Sequence, residues 1–246
     1  MSEHSRRKLD MYRRYAPSYD SDRRLMHGDE ALRHRALRLT EDIVADDLVL
    51  DVGCGTGDHL ALAAELAGRR GRVLGLDFSR AMLRQAREKS RGQTTIGLAL
   101  CDASLSIPVP DRFFDVVICD NLGQDVADLS ALVRECRRVL RVGGMFAATV
   151  ACLDGPSEAH AAYQEAARDN LWYFRTFREV LHALADAGLD PIDGLATFVG
   201  TGASRVQASG DLESLLYSDM MDHVRGRGFQ PTDVEQGFAL IKLRRL

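Results

Sequence analysis

Residues 48–67 constrain this chain more than any other stretch. Leu48-Val49-Leu50-Asp51-Val52, apolar apart from one acid, runs into Gly53-Cys54-Gly55-Thr56-Gly57, and residues 58–67 resume with helical spacing. That pattern reads as a buried parallel strand, a glycine turn and a helix. Three residues without side chains let backbone N–H groups approach a ligand closely, and the helix N-terminus behind them adds partial positive charge. Such a unit binds nucleotides in α/β folds without saying which one.

The alternation continues. Residues 72–77 form a short apolar run ending in Asp77, and Ser79 is placed to cap a helix reaching about Ser90. Residues 95–100 precede Asp102, and 113–119 are apolar apart from Asp115, as a strand covered on both faces should be. Residues 129–140 form one apolar helical face, Gly143-Gly144 is expected to end that helix, and 145–151 supply a fifth strand. This order implies right-handed crossovers and a doubly wound, mostly parallel α/β sheet, whose ligands bind beyond the carboxyl ends of the strands. Asp51, Asp77, Asp102 and Asp120 all fall at or near those ends. One acid there is an ordinary loop residue; four on one rim repel each other unless a polar ligand sits among them.

Spacing narrows the ligand. A dinucleotide fingerprint wants glycine at the first, third and sixth positions, here Gly53, Gly55 and Asp58, so Asp58 breaks it. The stretch Val49–Gly57 instead resembles the first motif of the class I S-adenosylmethionine-dependent methyltransferases. The resemblance implies a Rossmann-like, seven-stranded, mostly parallel sheet with an antiparallel last strand. It implies S-adenosyl-L-methionine as cofactor, with S-adenosyl-L-homocysteine as product. It also implies a cofactor site in which Asp51 contacts the amino-acid end of the cofactor and Gly53, Cys54, Gly55 and Gly57 pass beneath it. A carboxylate at Asp77 can accept two ribose hydrogen bonds, in this family as in dinucleotide folds. Asp102, followed by Ala103, matches the family's contact to the adenine amine, with Phe78 and Met82 against the ring. Asp120 and Asn121 fall where relatives meet the methionine end. Relatives often carry histidines where this chain has Gln124 and Asp125, so a familiar acid–base candidate is missing.

Residues 11–20, Met-Tyr-Arg-Arg-Tyr-Ala-Pro-Ser-Tyr-Asp, resemble the opening of small-molecule, quinone and lipid methyltransferases. There the segment folds over the cofactor, and Tyr19 would reach its carboxylate. Residues 1–40 are therefore expected to be a helical lid on a single-domain core, 41–246, with Pro17 ending a helix and placing Tyr19-Asp20 in a turn. Beyond the fifth strand, helices are expected over 157–170, 175–187 and near 212–224. A turn is expected at 200–204, strands at 191–199 and 237–243, and insertions at about 152–175 and 203–230.

A sulfonium methyl is already activated, so catalysis is mostly positioning and exclusion of water, with a base needed only for an oxygen or carbon acceptor. Candidate bases are Tyr15, Tyr19, His27, Asp125, His160 and His223, none singled out by its neighbours in sequence. Trp172-Tyr173-Phe174 would wall an apolar acceptor site or anchor the inserted helix.

The net charge of −4 speaks against a phosphate-backbone binder, and Asp120-Asn121-Leu122-Gly123 lacks the Pro-Pro-aromatic signature of enzymes that methylate nucleic-acid amines. No apolar run approaches the roughly 20 residues that span a bilayer. The start of the chain lacks a secretory signal pattern, and five scattered cysteines without Cys-x-x-Cys spacing fit packing thiols in a cytoplasm rather than a metal site. The expected activity is methyl transfer to an O, N or C atom of a small-molecule or lipid-like acceptor. A non-catalytic cofactor-binding regulator and, against Asp58, an NAD-dependent oxidoreductase are the competing readings. Oligomeric state stays open, a dimer included.

Overall fold

The computed structural model describes residues 3–154, 157–169, 171–189, 194–200, 226–228 and 235–246. Three helices, α1 (Glu3–Tyr15), α2 (Tyr19–His27) and α3 (Asp29–Thr40), precede the sheet. Then come β1 (Leu48–Val52), α4 (Leu60–Ala67), β2 (Arg72–Asp77), α5 (Arg80–Lys89), β3 (Ile96–Leu100) and β4 (Phe114–Asp120). A short 3-10 turn at Gly123–Asp125 leads to α6 (Leu129–Val139) and the long β5 (Leu140–Asp154). Helices α7 (Ser157–Asp169) and α8 (Phe177–Asp186) and strands β6 (Gly194–Gly200) and β7 (Glu235–Arg244) follow.

The strands lie in one sheet, ordered β3-β2-β1-β4-β5-β7-β6. β1 to β5 are mutually parallel, and β7 runs antiparallel between β5 and β6. Apolar side chains leave both faces. Val49, Val116 and Ile118 pack with Leu39, Leu60 and Ala63 of α3 and α4, while Leu50, Val52 and Val117 pack with Leu132, Val133 and Leu184 of α6 and α8. That two-sided burial is why these strands are apolar on both faces instead of alternating, Asp51 and Asp115 being the exceptions inside them. All five cysteines are buried thiols within these layers.

Local signals decide the ends. Ser79 caps α5 by accepting from the Met82 N–H at 3.4 Å, as its position predicts. Asp128 caps α6, and Thr176 with Glu179 forms a reciprocal capping box on α8.

Two expectations are corrected. Gly143-Gly144 does not end the helix: α6 stops at Val139, and the glycine pair lies inside β5 at an irregularity where the β4 register passes from Phe114–Leu140 to Val116–Met145. Gly143 has φ +78°, and a Cβ on Gly144 would stand 2.8 Å from the Asp115 carbonyl, so the pair serves a bulge and a close strand approach. Tyr19 and Asp20 do not form a turn either. Helix α1 ends before Pro17, but α2 begins at Tyr19, with Asp20 and Asp22 in its first turn where the helix dipole favours acids. The turn at 200–204, the helix near 212–224 and most of the insertion at 203–230 lie outside the described residues, as does His223.

Candidate functional site

The glycine turn sits between β1 and α4 at the carboxyl edge of the sheet. Gly53, Gly55 and Gly57 have φ of +74°, +53° and +86°, conformations that side chains rarely adopt. The three serve different ends. A Cβ on Gly53 would press on Leu122 at 3.0 Å, and one on Gly57 would press on Ala86 and Leu60 at 3.1 Å. At Gly55 the nearest atom would be Cε1 of Tyr19 at 3.9 Å, so bare backbone there faces open space. Asp77, at the end of β2, fastens the turn: its carboxylate accepts from the Gly55 N–H at 3.0 Å and the Ser79 N–H at 2.8 Å. Burial pushes the Asp77 carboxyl up to about 6, against the opposing pull of those two hydrogen bonds.

Above the turn the cleft has two chambers that share Gly53, Asp77, Phe78, Leu122 and Asp125. The first adds Tyr12, Tyr15, Tyr19, Met82, Asn121 and Trp172 to its wall. The second adds Asp102, Ala103, Ser104 and Tyr173. Tyr12 meets Phe78 edge to face, with ring centres 5.7 Å apart, where the chambers join. On the first wall the Tyr15 hydroxyl, the Asn121 Oδ1 and the Gln124 Oε1 are buried without a hydrogen-bond partner among the described residues. Buried polar atoms are normally paired, so this wall is built for a polar ligand.

Beneath the first chamber lies a web of charges. Arg23 reaches from α2 to Asp58 at 3.0 Å and to Asp120 at 3.2 Å. Arg35 of α3 and His59 approach the same Asp120 carboxylate at 3.8 and 3.6 Å, and Thr149 donates to it. Burial alone would raise Asp120; Arg35, His59 and Arg23 together hold it well below the usual carboxylate range. Asp58 is also paired with Lys89 of α5, which bridges to Asp20, and Asp20 accepts from Thr56 in the glycine turn at 2.6 Å. Thus α2 is clasped to the turn from both sides. Asp51 is different. It is 1% exposed, neither oxygen has a hydrogen-bond donor among the described residues, and His59 Nδ1 stands 3.9 Å away. Burial, reinforced by Asp120, Asp77 and Asp58, pushes its carboxyl well above the ordinary value, while burial lowers His59.

The sequence-predicted residues separate accordingly. Tyr19, Gly53, Gly55, Asp77, Phe78, Met82, Asp120 and Asn121 line the first chamber, and Asp102 and Ala103 the second. Asp51, Cys54 and Gly57 are not on either wall: Asp51 lies below, the Cys54 thiol packs toward Gly75, and Gly57 packs on α5. Of the candidate bases, Tyr15, Tyr19 and Asp125 line the cleft, and burial pushes Tyr19 up to about 12. His27 closes α2 and His160 lies in α7, with side chains outside those described. Sequence reasoning missed Lys8, Arg23, Arg35 and His59. Asp58 breaking the glycine fingerprint was the available signal that charge replaces a phosphate here.

The family described as a methyltransferase domain matches residues 50–148. A demethylmenaquinone methyltransferase of Listeria welshimeri is 39% identical over 107 residues, 43% of this chain and 44% of that protein. The chain spans under half the length of this relative. Among solved structures, the [4+2]-cyclase SpnF aligns over 96% of this chain and 95% of its own, with a TM-score of 0.70 and 18% identity. Geranyl diphosphate C-methyltransferase from Streptomyces coelicolor aligns over 88% of this chain and 81% of its own, with a TM-score of 0.65 and 19% identity. These two share the fold.

Proposed function

We propose that this chain, whose residues 50–148 match a methyltransferase domain, is an S-adenosylmethionine-dependent enzyme that transfers a methyl group to a small-molecule acceptor. The observation that carries this reading is the first chamber. Open backbone at Gly55, a buried carboxylate at Asp77 and three unpaired polar atoms at Tyr15, Asn121 and Gln124 face one space. These groups fit S-adenosylmethionine. Asp77 would accept the ribose hydroxyls with lone pairs its two backbone contacts leave over. Asp102 would receive the adenine amine in the second chamber, between Ala103 and Phe78. Asn121 and Gln124 offer acceptors to an ammonium, and Tyr15 and Tyr19 offer donors to a carboxylate.

Bound there, the cofactor supplies a methyl on a sulfonium, already activated toward an incoming lone pair. The protein's share is alignment and dryness. The rings of Tyr12, Tyr15, Tyr19 and Trp172 exclude water from the reaction path, and the clasp of Arg23, Asp20 and Lys89 on the glycine turn keeps the cleft floor in place. Helices α1 and α2 thereby act as a lid.

The dinucleotide alternative fails on charge. A pyrophosphate belongs at the helix N-terminus after the glycine turn, and here Asp58 stands before α4 with Asp51 and Asp120 close by. Calorimetry with S-adenosylhomocysteine and with NAD tests the reading: tight binding of the first and none of the second is expected, and the reverse overturns it. Transfer of labelled methyl to candidate acceptors then separates an enzyme from a regulator that only binds the cofactor.

A further inference from the structure

One ammonium is already caged in the cleft. Lys8 of α1 is only 2% exposed; its Nζ is ion-paired with Asp125 and lies 5.8 Å from the centre of the Trp172 ring and 5.9 Å from that of Tyr12. The second Asp125 oxygen accepts from the Tyr12 hydroxyl at 3.0 Å. Tyr12, Asp125 and Trp172 all line the first chamber, beside the unpaired Oε1 of Gln124. Two aromatic faces attract a cation through their quadrupoles, and a carboxylate supplies full countercharge. Asp77 lines the same wall, as does Asp120, which Arg23, Arg35 and His59 already engage. Gln124 and Asp125 are also where the chain departs from the histidines of the family it resembles, and the cofactor reading leaves Asp125 unused.

We infer that Asp125, Tyr12 and Trp172 form the acceptor-recognition site and that it takes an amine in its cationic form, whose place the Lys8 ammonium holds. This inference rests on the methyl-transfer reading and names the acceptor class for it: the ammonium, which has no lone pair, is the group by which the acceptor is held, and the methyl goes to another atom of that molecule that carries one. An ammonium acceptor exchanges with Lys8 charge for charge, and Lys8 swings out on a helix whose Arg6, Arg7, Arg13 and Arg14 are already exposed. A neutral acceptor in the same place leaves the Asp125 carboxylate with the Tyr12 hydroxyl but without countercharge, which opposes its binding. The cage therefore selects against uncharged molecules of equal size, and the exchange couples acceptor entry to movement of α1.

Trp172 is the chain's single tryptophan, so its fluorescence reports on the cage directly. The test is a titration of the protein, saturated with S-adenosylhomocysteine, with butylammonium chloride and with butanol. Lys8 competes at the high effective concentration of a tethered group, so Lys8→Ala is expected to bind butylammonium about tenfold more tightly than wild type or better. Adding Asp125→Asn to that variant is expected to reverse the gain, and butanol should leave the emission unchanged throughout. Lys8→Ser serves equally if Lys8→Ala does not fold, and wild type alone should show a saturable change at higher butylammonium concentration. Binding of S-adenosylhomocysteine without a saturable butylammonium response in wild type or in a folded Lys8 variant overturns the amine cage and leaves the methyl-transfer reading intact. Equal responses to butanol and butylammonium overturn it as well. Failure of wild type to bind S-adenosylhomocysteine overturns both.

Discussion

Asp77→Asn separates what this residue does for the fold from what it does for the ligand. The carboxyl is 7% exposed, and burial moves it from 3.8 to about 6. At pH 7.5 that shift amounts to a penalty of about 3 kcal/mol on the ionised folded protein. Because the folded-state value lies above the ordinary one, the contribution to stability is fully present below about pH 4 and is lost as pH rises through 6. Asparagine removes the penalty but turns an amide NH₂ toward either the Gly55 or the Ser79 N–H, which costs about 1–3 kcal/mol. The two effects nearly cancel at pH 7.5, so thermal unfolding there should change little. As pH falls toward 4, wild type sheds its penalty and the variant becomes the less stable of the two. Binding responds differently. The ionised carboxylate is the better acceptor for ribose hydroxyls, so wild-type affinity for S-adenosylhomocysteine should rise with pH through about 6. The variant should bind about 1–3 kcal/mol more weakly at pH 7.5, with a flat pH profile. Calorimetry across about pH 5–8, paired with thermal unfolding, measures both. A folded variant that binds as tightly as wild type, or a flat wild-type profile, refutes the reasoning.

Arg23→Ala removes one of two guanidiniums around buried Asp120 and should destabilise the protein by about 2–4 kcal/mol in denaturant unfolding. Asp120 lies below its ordinary value, so that stabilisation is present above about pH 4 and lost only in stronger acid; with His59 held below its ordinary value and therefore neutral there, the deficit should hold constant over about pH 7–8. Gly53→Ala imposes a side chain at φ +74° and displaces Leu122; a loss of about 1–2 kcal/mol of stability is expected, together with weaker cofactor-product binding by calorimetry. Thr176→Ala removes the capping box of α8 and should cost about 1 kcal/mol in thermal unfolding, with S-adenosylhomocysteine affinity unchanged.

The strands β1 and β2 are legible to the residue, because each is an apolar run closed by an acid and followed by turn chemistry. Gly143-Gly144 misleads for a physical reason: the αL conformation that stops a helix is also the one that makes a bulge, and only the partner strand decides between them. Tyr19 misleads because a proline ends one helix without forbidding another two residues later. The polar wall from Gly53 to Asp102 could be read from spacing, since each member is fixed by the end of its own strand. The charge web could not. Arg23, Arg35 and Lys8 look like solvated helix positions, and they become buried only when α1 to α3 close over the sheet and meet Asp120 and Asp125. Asp51 shows the limit from the other side, for the motif places it correctly at the strand end, yet its depth below the cleft depends on α4 and His59.

The position of β7 bears on how this sheet is completed. The strand written last in the chain lies between two that precede it, paired with β5 along Met145–Asp154 and with β6 along Gly194–Gly200. Until residues 235–244 have been synthesised, β5 has no neighbour on that side and β6 has no bond to the rest of the sheet. A nascent chain released early would present two open edges, the condition under which strands recruit other copies. Strands β1 to β4, with the glycine turn, do not pair with β7 and have their sheet neighbours in place before it is made.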